Sequence, residues 1–354
     1  LSSKQWQQIT KAYRKAYPND REVQKALEIL EGATSVVPPT NRLLHQLTNL
    51  LARTRNVILF GPPGCGKTYW ARQLAKDFAG AERTKFLTFH QSFAYEEFVE
   101  GLKPLCPKDG DSHIKYEVVP GVFRKICADA RKEWEANKEN PSKYLLVIDE
   151  INRANIAKVF WELITLIEDD KRLGQPNEVV VTLPYSGEKF GVPPNLYILG
   201  TMNTADRSIA LLDLALRRRF AFMELEPNPS LLHLVAGVDL RQLLITLNER
   251  VAVLLDRDHR IGHSYFMGMD GEAGEGDLRF AWYHRIVPLL QEYFYNDGER
   301  LTRVLGEKFV SKMDVGGDLC DSDTSKYEIA PLQGDVFLDA LKQLAGAGKP
   351  KIAE

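Results

Sequence analysis

The chain has 354 residues, of which 44% are hydrophobic and 27% are charged, and its formal net charge is −2. This length accommodates one large or two ordinary globular domains, and the lack of net positive charge excludes a general nucleic-acid-binding protein, so any contact with DNA has to be local. No apolar run approaches the ~20 residues of a membrane span and no signal segment opens the chain, so we expect no membrane association.

The four cysteines carry no disulfide or metal signature. They are Cys65, Cys106, Cys127 and Cys320, without any C-x-x-C spacing. This pattern favours a reducing, cytoplasmic compartment. The sequence begins with Leu1 rather than Met, so we expect the natural protein to continue in front of it with a further N-terminal domain.

Residues 1–39 predict a helical extension in which two helical patterns are separated by Pro18-Asn19-Asp20. Three roles stay open for it: shaping the base pocket of a nucleotide site, contacting a neighbouring chain, or packing on the core. Thr40 then caps a predicted helix over Asn41–Leu51, which leads to the first strand.

The stretch Asn56–Thr68, NVILFGPPGCGKT, predicts a strand and a phosphate-binding loop, and the helical pattern TYWARQLAKDFA follows directly. Glycines let backbone N–H groups face phosphate oxygens, and the helix start adds further donors and a positive dipole end. Lys67 is expected to reach the β- and γ-phosphates and Thr68 to ligate Mg²⁺. The expected nucleotide-binding residues are Gly61, Pro62, Pro63, Gly64, Cys65, Gly66, Lys67, Thr68 and Tyr69.

A second strand is predicted over Lys85–Phe89, followed by an insert of about residues 91–122. Such an excursion is long for a plain connection between core strands, so we expect it to be functional. We interpret its aromatic residues as packing residues rather than ligand contacts. They are Phe93, Tyr95 and Phe98.

Leu145–Asp149 predicts a buried strand that ends in the carboxylates of Asp149 and Glu150. At the carboxyl end of a parallel strand beside a phosphate loop, one carboxylate can hold Mg²⁺ and the next can orient the attacking water. We expect Asp149 to hold the metal ion and Glu150 to orient the attacking water. The segment 151–172 that follows has the spacing of an amphipathic helix.

A β-hairpin is predicted at about residues 177–192, and a further buried strand over Leu196–Met202. Asn203 ends that strand, where its carboxamide can donate to the γ-phosphate or hold the water, with helix capping as the alternative. Arg217–Arg219 then separate a predicted helix from the last core strand, Phe220–Leu225. Such a run is usually a solvated face, but a guanidinium at a helix–strand junction also matches phosphate geometry.

The five strands and their helices predict an α/β fold with a parallel sheet over residues 40–227. After Pro227 helical patterns take over, which predicts an all-α lid over 228–306 and a C-terminal extension, partly loop, over 307–354. His259, Arg260 and His263 could contact the nucleotide or a neighbouring chain; the spacing of Cys and His residues does not support a zinc site.

Six strings occur in the order GPPGCGKT, LLVIDEINRAN, LIEDDKRLG, GTMNTADRS, ALRRRFAF and RIGHSYF. In this order they resemble the McrB family of AAA+ P-loop NTPases, the motors of modified-cytosine-dependent restriction. The resemblance covers roughly residues 40–300. It implies the AAA+ fold with a helical lid, Mg²⁺ as cofactor, GTP in preference to ATP, a homo-hexameric ring and an McrC-like nuclease partner. It also implies an N-terminal domain that reads modified DNA, which nothing before residue 40 is long enough to supply, so DNA would be reached through a missing domain or the ring pore.

The resemblance supports the roles given above to the phosphate loop, the carboxylate pair and Asn203. It adds candidates for the subunit interface and catalysis, which are Asp206, Arg207, Asp213 and Arg217–Arg219. Arg218 and Arg219 are the candidates for an arginine finger that acts on the neighbour's nucleotide, and the choice between the arginines stays open.

Two other readings remain beside the motor. The chain is also compatible with a MoxR-like ATPase that remodels a protein partner, or with a scaffold that binds nucleotide and hardly turns over. The string NTADRS argues against the first, and the intact carboxylate pair against the second. No nuclease cluster is evident outside the nucleotide site, so we expect no DNA cleavage by this chain alone.

Overall fold

The computed structural model describes residues 39–104, 115–206, 214–269, 274–295, 297–313 and 326–346. The chain forms two compact units, Leu1–Arg53 and Thr54–Glu354. The described part of the first is essentially one helix, α1, over Pro39–Leu51, and the helical extension expected before it lies outside the described residues. All other elements belong to the second unit.

The strands are β1 (Asn56–Gly61), β2 (Thr84–Thr88), β3 (Glu100–Pro104), β4 (Tyr116–Pro120), β5 (Tyr144–Asp149), β6 (Val181–Thr182), β7 (Lys189–Phe190), β8 (Leu196–Asn203), β9 (Ala221–Glu224), β10 (Leu234–Val235), β11 (Val238–Asp239), β12 (Val310–Met313) and β13 (Lys326–Ile329). The helices after α1 are α2 (Lys67–Phe78), α3 (Tyr95–Phe98), α4 (Val122–Ala136), α5 (Ile156–Phe160), α6 (Leu214–Arg217), α7 (Leu240–Leu254), α8 (Gly274–Ala281), α9 (Val287–Tyr293), α10 (Gly298–Leu305) and α11 (Gly334–Gly346).

A five-stranded sheet in the order β2-β5-β8-β1-β9 forms the centre of the α/β part, and all its pairings are parallel. The five strands predicted from the sequence are the five strands of this sheet. Gly61 pairs with Asn203, and Thr88 pairs with Asp149. The register therefore brings the phosphate loop, the carboxylates of Asp149 and Glu150 and the carboxamide of Asn203 to the carboxyl ends of the strands, on one side of the sheet.

The insert consists of α3 and the antiparallel hairpin β3–β4, and residues 105–114 lie outside the described part. Its aromatic side chains pack as expected. Phe98 is fully buried and stacks on Phe123 at 4.8 Å between ring centroids, and Phe93 stacks on Phe89 at 4.7 Å. The predicted hairpin forms as β6–β7.

The prediction of one amphipathic helix over 151–172 is wrong. Helix α5 ends at Phe160, Trp161 adopts a positive φ of 44°, and a 3₁₀ turn follows over Trp161–Ile164. The apolar residues keep their spacing and are buried in the core, among them Phe160 and Leu163. Successive short turns bury residues three or four apart as well as one helix does, so the spacing alone could not tell them apart.

Helices dominate after β9, with the two-residue hairpin β10–β11 as a small departure from the all-α lid. The core of this part continues beyond residue 306, because Phe337, Leu341 and Leu344 of α11 are buried in the same cluster as α7 and α9. The expected boundary at 306 therefore divides one core. No helix in the described ranges has the length and apolarity needed to cross a bilayer.

Candidate nucleotide-binding site

The phosphate loop joins β1 to α2 and takes a shape that its glycines allow. Gly61, Gly64 and Gly66 have φ values of 147°, 78° and 81°, which L-residues with a side chain rarely adopt. A Cβ at Gly61 would also lie 2.3 Å from the carbonyl oxygen of Leu225. Gly66 precedes α2 and offers no side-chain cap, so the first N–H groups of a twelve-residue helix face the loop.

Lys67 is buried beneath this loop. Its Nζ donates to the carbonyl oxygens of Gly61 at 2.9 Å and Pro62 at 2.8 Å, and burial lowers the pKa of its ammonium. Cys65 is also buried, which raises the pKa of its thiol to about 11, so it is a neutral packing residue at neutral pH. Tyr69 is exposed, with its ring edge on Trp70.

The two residues expected to hold a metal lie side by side. Thr68 Oγ1 donates to Asp149 Oδ1 at 2.9 Å, and Thr201 Oγ1 donates to the same oxygen. A hydroxyl and a carboxylate are the hard oxygen donors that Mg²⁺ prefers, with phosphate and water as its remaining ligands. The residues therefore fit Mg²⁺. Within the described ranges there is no group of three or more His, Cys, Asp or Glu that could hold a metal ion.

Glu150 follows β5 in a left-handed conformation, with a φ of 54°, which is costly for a residue with a side chain. Its Oε1 accepts from Asn203 Nδ2 at 2.6 Å, and its Oε2 accepts from Arg153 Nε at 3.3 Å. Burial raises the pKa of Glu150, an effect that Arg153 opposes and Asp206 reinforces. The backbone N–H of Glu150 donates to Thr201 Oγ1 at 3.2 Å. The carboxylate is thus held at both oxygens.

Arg153 is a site residue that we did not identify from the sequence. Its Nη2 donates to Asp206 Oδ2 at 3.2 Å, so one guanidinium joins Asp206 to Glu150. The two acids come from different strand ends, and Arg153 lies in a 3₁₀ turn three residues after Glu150. Residues i and i+3 face the same side in such a turn, but the sequence does not disclose the turn type. Arg207 and Asp213 lie outside the described residues.

Arg217–Arg219 lie on the opposite side of the sheet from the phosphate loop, where the parallel strands begin. The carbonyl oxygen of Arg219 accepts from Asn56 Nδ2 at 3.1 Å, where β1 begins. The Arg219 side chain is 2% exposed, with Nη2 2.7 Å from Glu168 Oε1. The Arg218 side chain is 69% exposed, 3.6 Å from the same oxygen. Both border a cavity of about 440 Å³. The structure does not bring them to Lys67 of their own chain.

The lid touches the phosphate loop through the backbone. Gly262 N donates to Pro63 O at 3.0 Å, and Ser264 N donates to Gly64 O at 3.1 Å. A Cβ at Gly262 would lie 2.0 Å from the carbonyl carbon of Gly64, so only glycine allows this approach. The string RIGHSYF thereby closes over the loop.

The His263 side chain also lies beside the phosphate loop. Its Nδ1 accepts from the backbone N–H of Asn228 at 3.1 Å, which leaves the proton of the neutral ring on Nε2. That nitrogen lies 4.0 Å from where a Cβ of Gly66 would be. Burial lowers the pKa of His263. His259 instead pairs with Asp256, and Arg260 with Glu224 and Glu226 at the end of β9.

Comparison with known proteins decides the family. Residues 56–220 match the AAA domain of the dynein-related subfamily, and residues 239–302 match the alpha-helical lid domain of McrB. The chain is 37% identical over 284 residues to the type IV methyl-directed restriction enzyme EcoKMcrB subunit of Escherichia coli K12, covering 74% of this chain and 58% of that protein. The chain belongs to the McrB family of AAA+ proteins. The α/β fold and the helical lid expected from the sequence are confirmed.

Two further relatives place this family member in context. The chain is 30% identical over 215 residues to the type II restriction enzyme BsuMI component YdiS of Bacillus subtilis 168, covering 52% of this chain and 60% of that protein. It is 31% identical over 120 residues to the vesicle-fusing ATPase of Caenorhabditis elegans, covering 34% and 12%. The McrB-family chain thus spans less than two thirds of the length of these restriction proteins.

Proposed function

We propose that the chain is the NTP-hydrolysing motor subunit of a modified-cytosine-dependent DNA restriction system, with GTP as the preferred substrate. The observation that carries the NTPase proposal is the meeting of the phosphate loop with Asp149 and the Glu150–Asn203 pair at one sheet edge. The restriction assignment is supported by the names of two relatives, a methyl-directed restriction subunit and a restriction enzyme component.

The phosphate side of the proposed site uses residues that already touch one another. Thr68 and Asp149 would hold Mg²⁺, which when bound supplies positive charge to the phosphate chain. The ammonium of Lys67 would exchange its bonds to the carbonyls of Gly61 and Pro62 for phosphate oxygens. Because that ammonium is buried, its interaction with a phosphate is strong, and losing it should abolish binding.

The water side is built around Glu150. We assign it the orientation of the attacking water and the acceptance of its proton, for which burial favours a raised pKa. Asn203 fixes one carboxylate oxygen and so acts as a positioning residue. Arg153 holds the other oxygen and is itself held by Asp206. We assign Arg153 and Asp206 to positioning within the chain's own site.

The remaining cation is proposed to come from a second copy. Arg218 is exposed at the sheet edge away from its own loop, which supports a role as an arginine finger for a neighbour in a homo-hexameric ring. The buried pairing of Arg219 with Glu168 supports a structural role. Arg207 and Asp213 stay candidates for this interface on the resemblance alone.

Partners follow from the same proposal. An McrC-like subunit would supply nuclease activity, since this chain is proposed to have none, and DNA would be reached through a further N-terminal domain or the ring pore. The guanine preference rests on the resemblance and on no base-reading residue. It is therefore tested separately from hydrolysis.

The site is tested with the variants Lys67→Ala and Glu150→Gln. Nucleotide binding and turnover are measured for each with GTP and with ATP, and with and without a candidate nuclease subunit. Lys67→Ala should abolish binding, whereas Glu150→Gln should bind normally and lose about 10²- to 10⁴-fold in turnover. Lys76→Ala, exposed on the same helix α2, is the matched control and should behave as wild type. Equal loss of binding in both site variants contradicts the roles. If ATP is hydrolysed as well as GTP, the proposed guanine preference is wrong and the proposal is reduced to a generic AAA+ motor.

A further inference from the structure

Two exposed aromatic rings contact a buried one where the insert, the turn after α5 and the tip of the β6–β7 hairpin come together. The ring centroids of Tyr95 and Trp161 are 5.8 Å apart, and those of Tyr95 and Tyr185 are 6.3 Å apart. Tyr95 is buried, whereas Trp161 is 62% and Tyr185 38% exposed. We call these three residues the aromatic face. The nucleotide chemistry proposed above uses none of them.

A buried carboxylate fixes the tip of the hairpin in this place. The Glu100 side chain has no exposed surface, and its Oε1 accepts from the backbone N–H groups of Tyr185 at 2.9 Å and Ser186 at 3.1 Å. Arg124 pairs with Glu100 and also with Glu188 of the hairpin. A buried charge is costly unless it is paired and bonded in this way. Tyr185 is therefore held in a fixed position.

The backbone conformation and the exposure of Trp161 are both energetically unfavourable. Its φ of 44° and ψ of −124° belong to a region that glycine enters easily and a bulky side chain does not. Its indole also leaves much apolar surface in water. Burial offsets only part of these costs, because Trp161 stays 62% exposed, and a glycine would suit the local backbone better. A contact made by the exposed indole gives a reason for a tryptophan here.

The charges around the face decide which kind of molecule fits. Glu162 and Glu96 accept hydrogen bonds from the tyrosine hydroxyls of the face, at 3.3 and 2.8 Å, and Glu97, which follows Glu96 in α3, is exposed. Lys158 is an exposed cation one turn before Trp161. With Arg124 and Glu188 of the hairpin contact included, carboxylates still outnumber cations here. The face therefore repels a phosphate backbone and attracts cations, although exposed aromatic rings alone would also suit nucleic-acid bases.

We propose that the aromatic face docks a basic segment of a protein partner. Arg side chains of that segment would lie over the Trp161 indole and pair with the carboxylates of Glu96, Glu97 and Glu162. Cation–π contact and a carboxylate pair act on the same guanidinium without competing, because one uses its face and the other its edge. This site is separate from the nucleotide site and does not depend on the proposed hydrolysis.

Fluorescence anisotropy of the purified chain tests the proposal with three labelled probes. They are a short peptide of alternating Arg and Gly, a matched peptide with Glu in place of Arg, and oligothymidine of similar length. The Arg peptide should bind most tightly. Trp161→Gly should weaken its binding about 2- to 30-fold, and Glu97→Lys about 2- to 10-fold. Tyr295→Ala, which removes an aromatic residue 80% exposed elsewhere, should leave it unchanged.

Trp161→Gly also separates binding from folding and from hydrolysis. Glycine tolerates the positive φ, and this relief opposes the loss of the ring contact with Tyr95, so the melting temperature should stay close to that of wild type, and nucleotide turnover should be unchanged. Wild-type binding of the Arg peptide by Trp161→Gly would overturn the proposal. So would tighter binding of oligothymidine or of the Glu peptide, or the absence of binding by all three probes.

Discussion

Alanine at Arg218 and at Arg219 should have opposite consequences, although the two residues are adjacent. Removing one partner of a buried ion pair costs about 3–5 kcal/mol. Glu168 keeps 26% exposure, so water solvates it in part, and we expect about 2–3 kcal/mol of lost stability for Arg219→Ala. The Arg218 side chain is 69% exposed at 3.6 Å from the same carboxylate. Its removal should change stability by no more than about 0.5 kcal/mol.

Turnover should show the reverse order. If Arg218 acts on the neighbour's nucleotide, Arg218→Ala should lose about 10³-fold or more in turnover while it stays folded. Arg219→Ala should keep measurable turnover at temperatures well below its lowered melting point. Thermal unfolding and steady-state hydrolysis of both variants are measured side by side. Arg218→Lys, which keeps the charge but not the planar fork, is the control for charge alone.

Mixing two inactive variants tests whether the site is shared. Glu150→Gln inactivates a chain's own site and Arg218→Ala its neighbour's, so a random equal mixture should restore about one quarter of the sites (½ × ½). No recovery, with both variants still assembled, would refute action between chains. Wild-type turnover by Arg218→Ala alone would refute the finger itself.

Two further predictions concern the lid. Gly262→Ala should weaken nucleotide affinity by about tenfold or more, measured by titration, because its Cβ would meet the Gly64 backbone at 2.0 Å; unchanged affinity would mean that the lid contact does not matter for binding. Burial lowers the pKa of His263 below its usual 6.5, so folding favours the neutral imidazole. The stability that this residue contributes is present above about pH 6.5 and is lost as pH falls below that value. As pH is lowered from 8 to 5, the melting temperature of wild type should therefore fall more steeply than that of His263→Gln. Parallel curves would contradict the claim that His263 is buried in its neutral form.

The centre of the sheet and the candidate site could be predicted from the sequence because β1, β5 and β8 are short and apolar and each ends in a polar motif. Once the strands are parallel, their carboxyl ends lie on one side of the sheet, so Asp149 and Asn203 are expected on the same side as Lys67. The strand order β5-β8-β1 then brings them close together. The expectation that residues 307–354 form a separate extension did not include their packing on the lid, although a signal for that packing existed. Phe337, Leu341 and Leu344 recur at helical spacing, and their burial in the lid core makes α11 part of that unit.

Other features depend on backbone choices that side-chain spacing does not encode. The break at Trp161 leaves the hydrophobic spacing intact, so the pattern reads as one helix. The link from Arg153 to Glu150 requires a 3₁₀ turn and a left-handed glutamate. The approach of Gly262 to the phosphate loop joins residues about 200 positions apart, and a single glycine in a sequence does not tell which backbone it meets.

The geometry of the parallel sheet separates Arg218 from the phosphate loop of its own chain. β1 pairs with β9 from Val57 opposite Ala221 to Phe60 opposite Glu224, so the residues just before β9 lie where β1 begins and the phosphate loop lies where it ends. At about 3.3 Å per residue, six residues span about 17–20 Å, which is longer than an arginine side chain. Arg218 cannot reach its own loop while β9 stays paired. In the proposed head-to-tail ring, this arginine would be available to the next chain's nucleotide, and each phosphate loop of a closed ring would then have one such arginine.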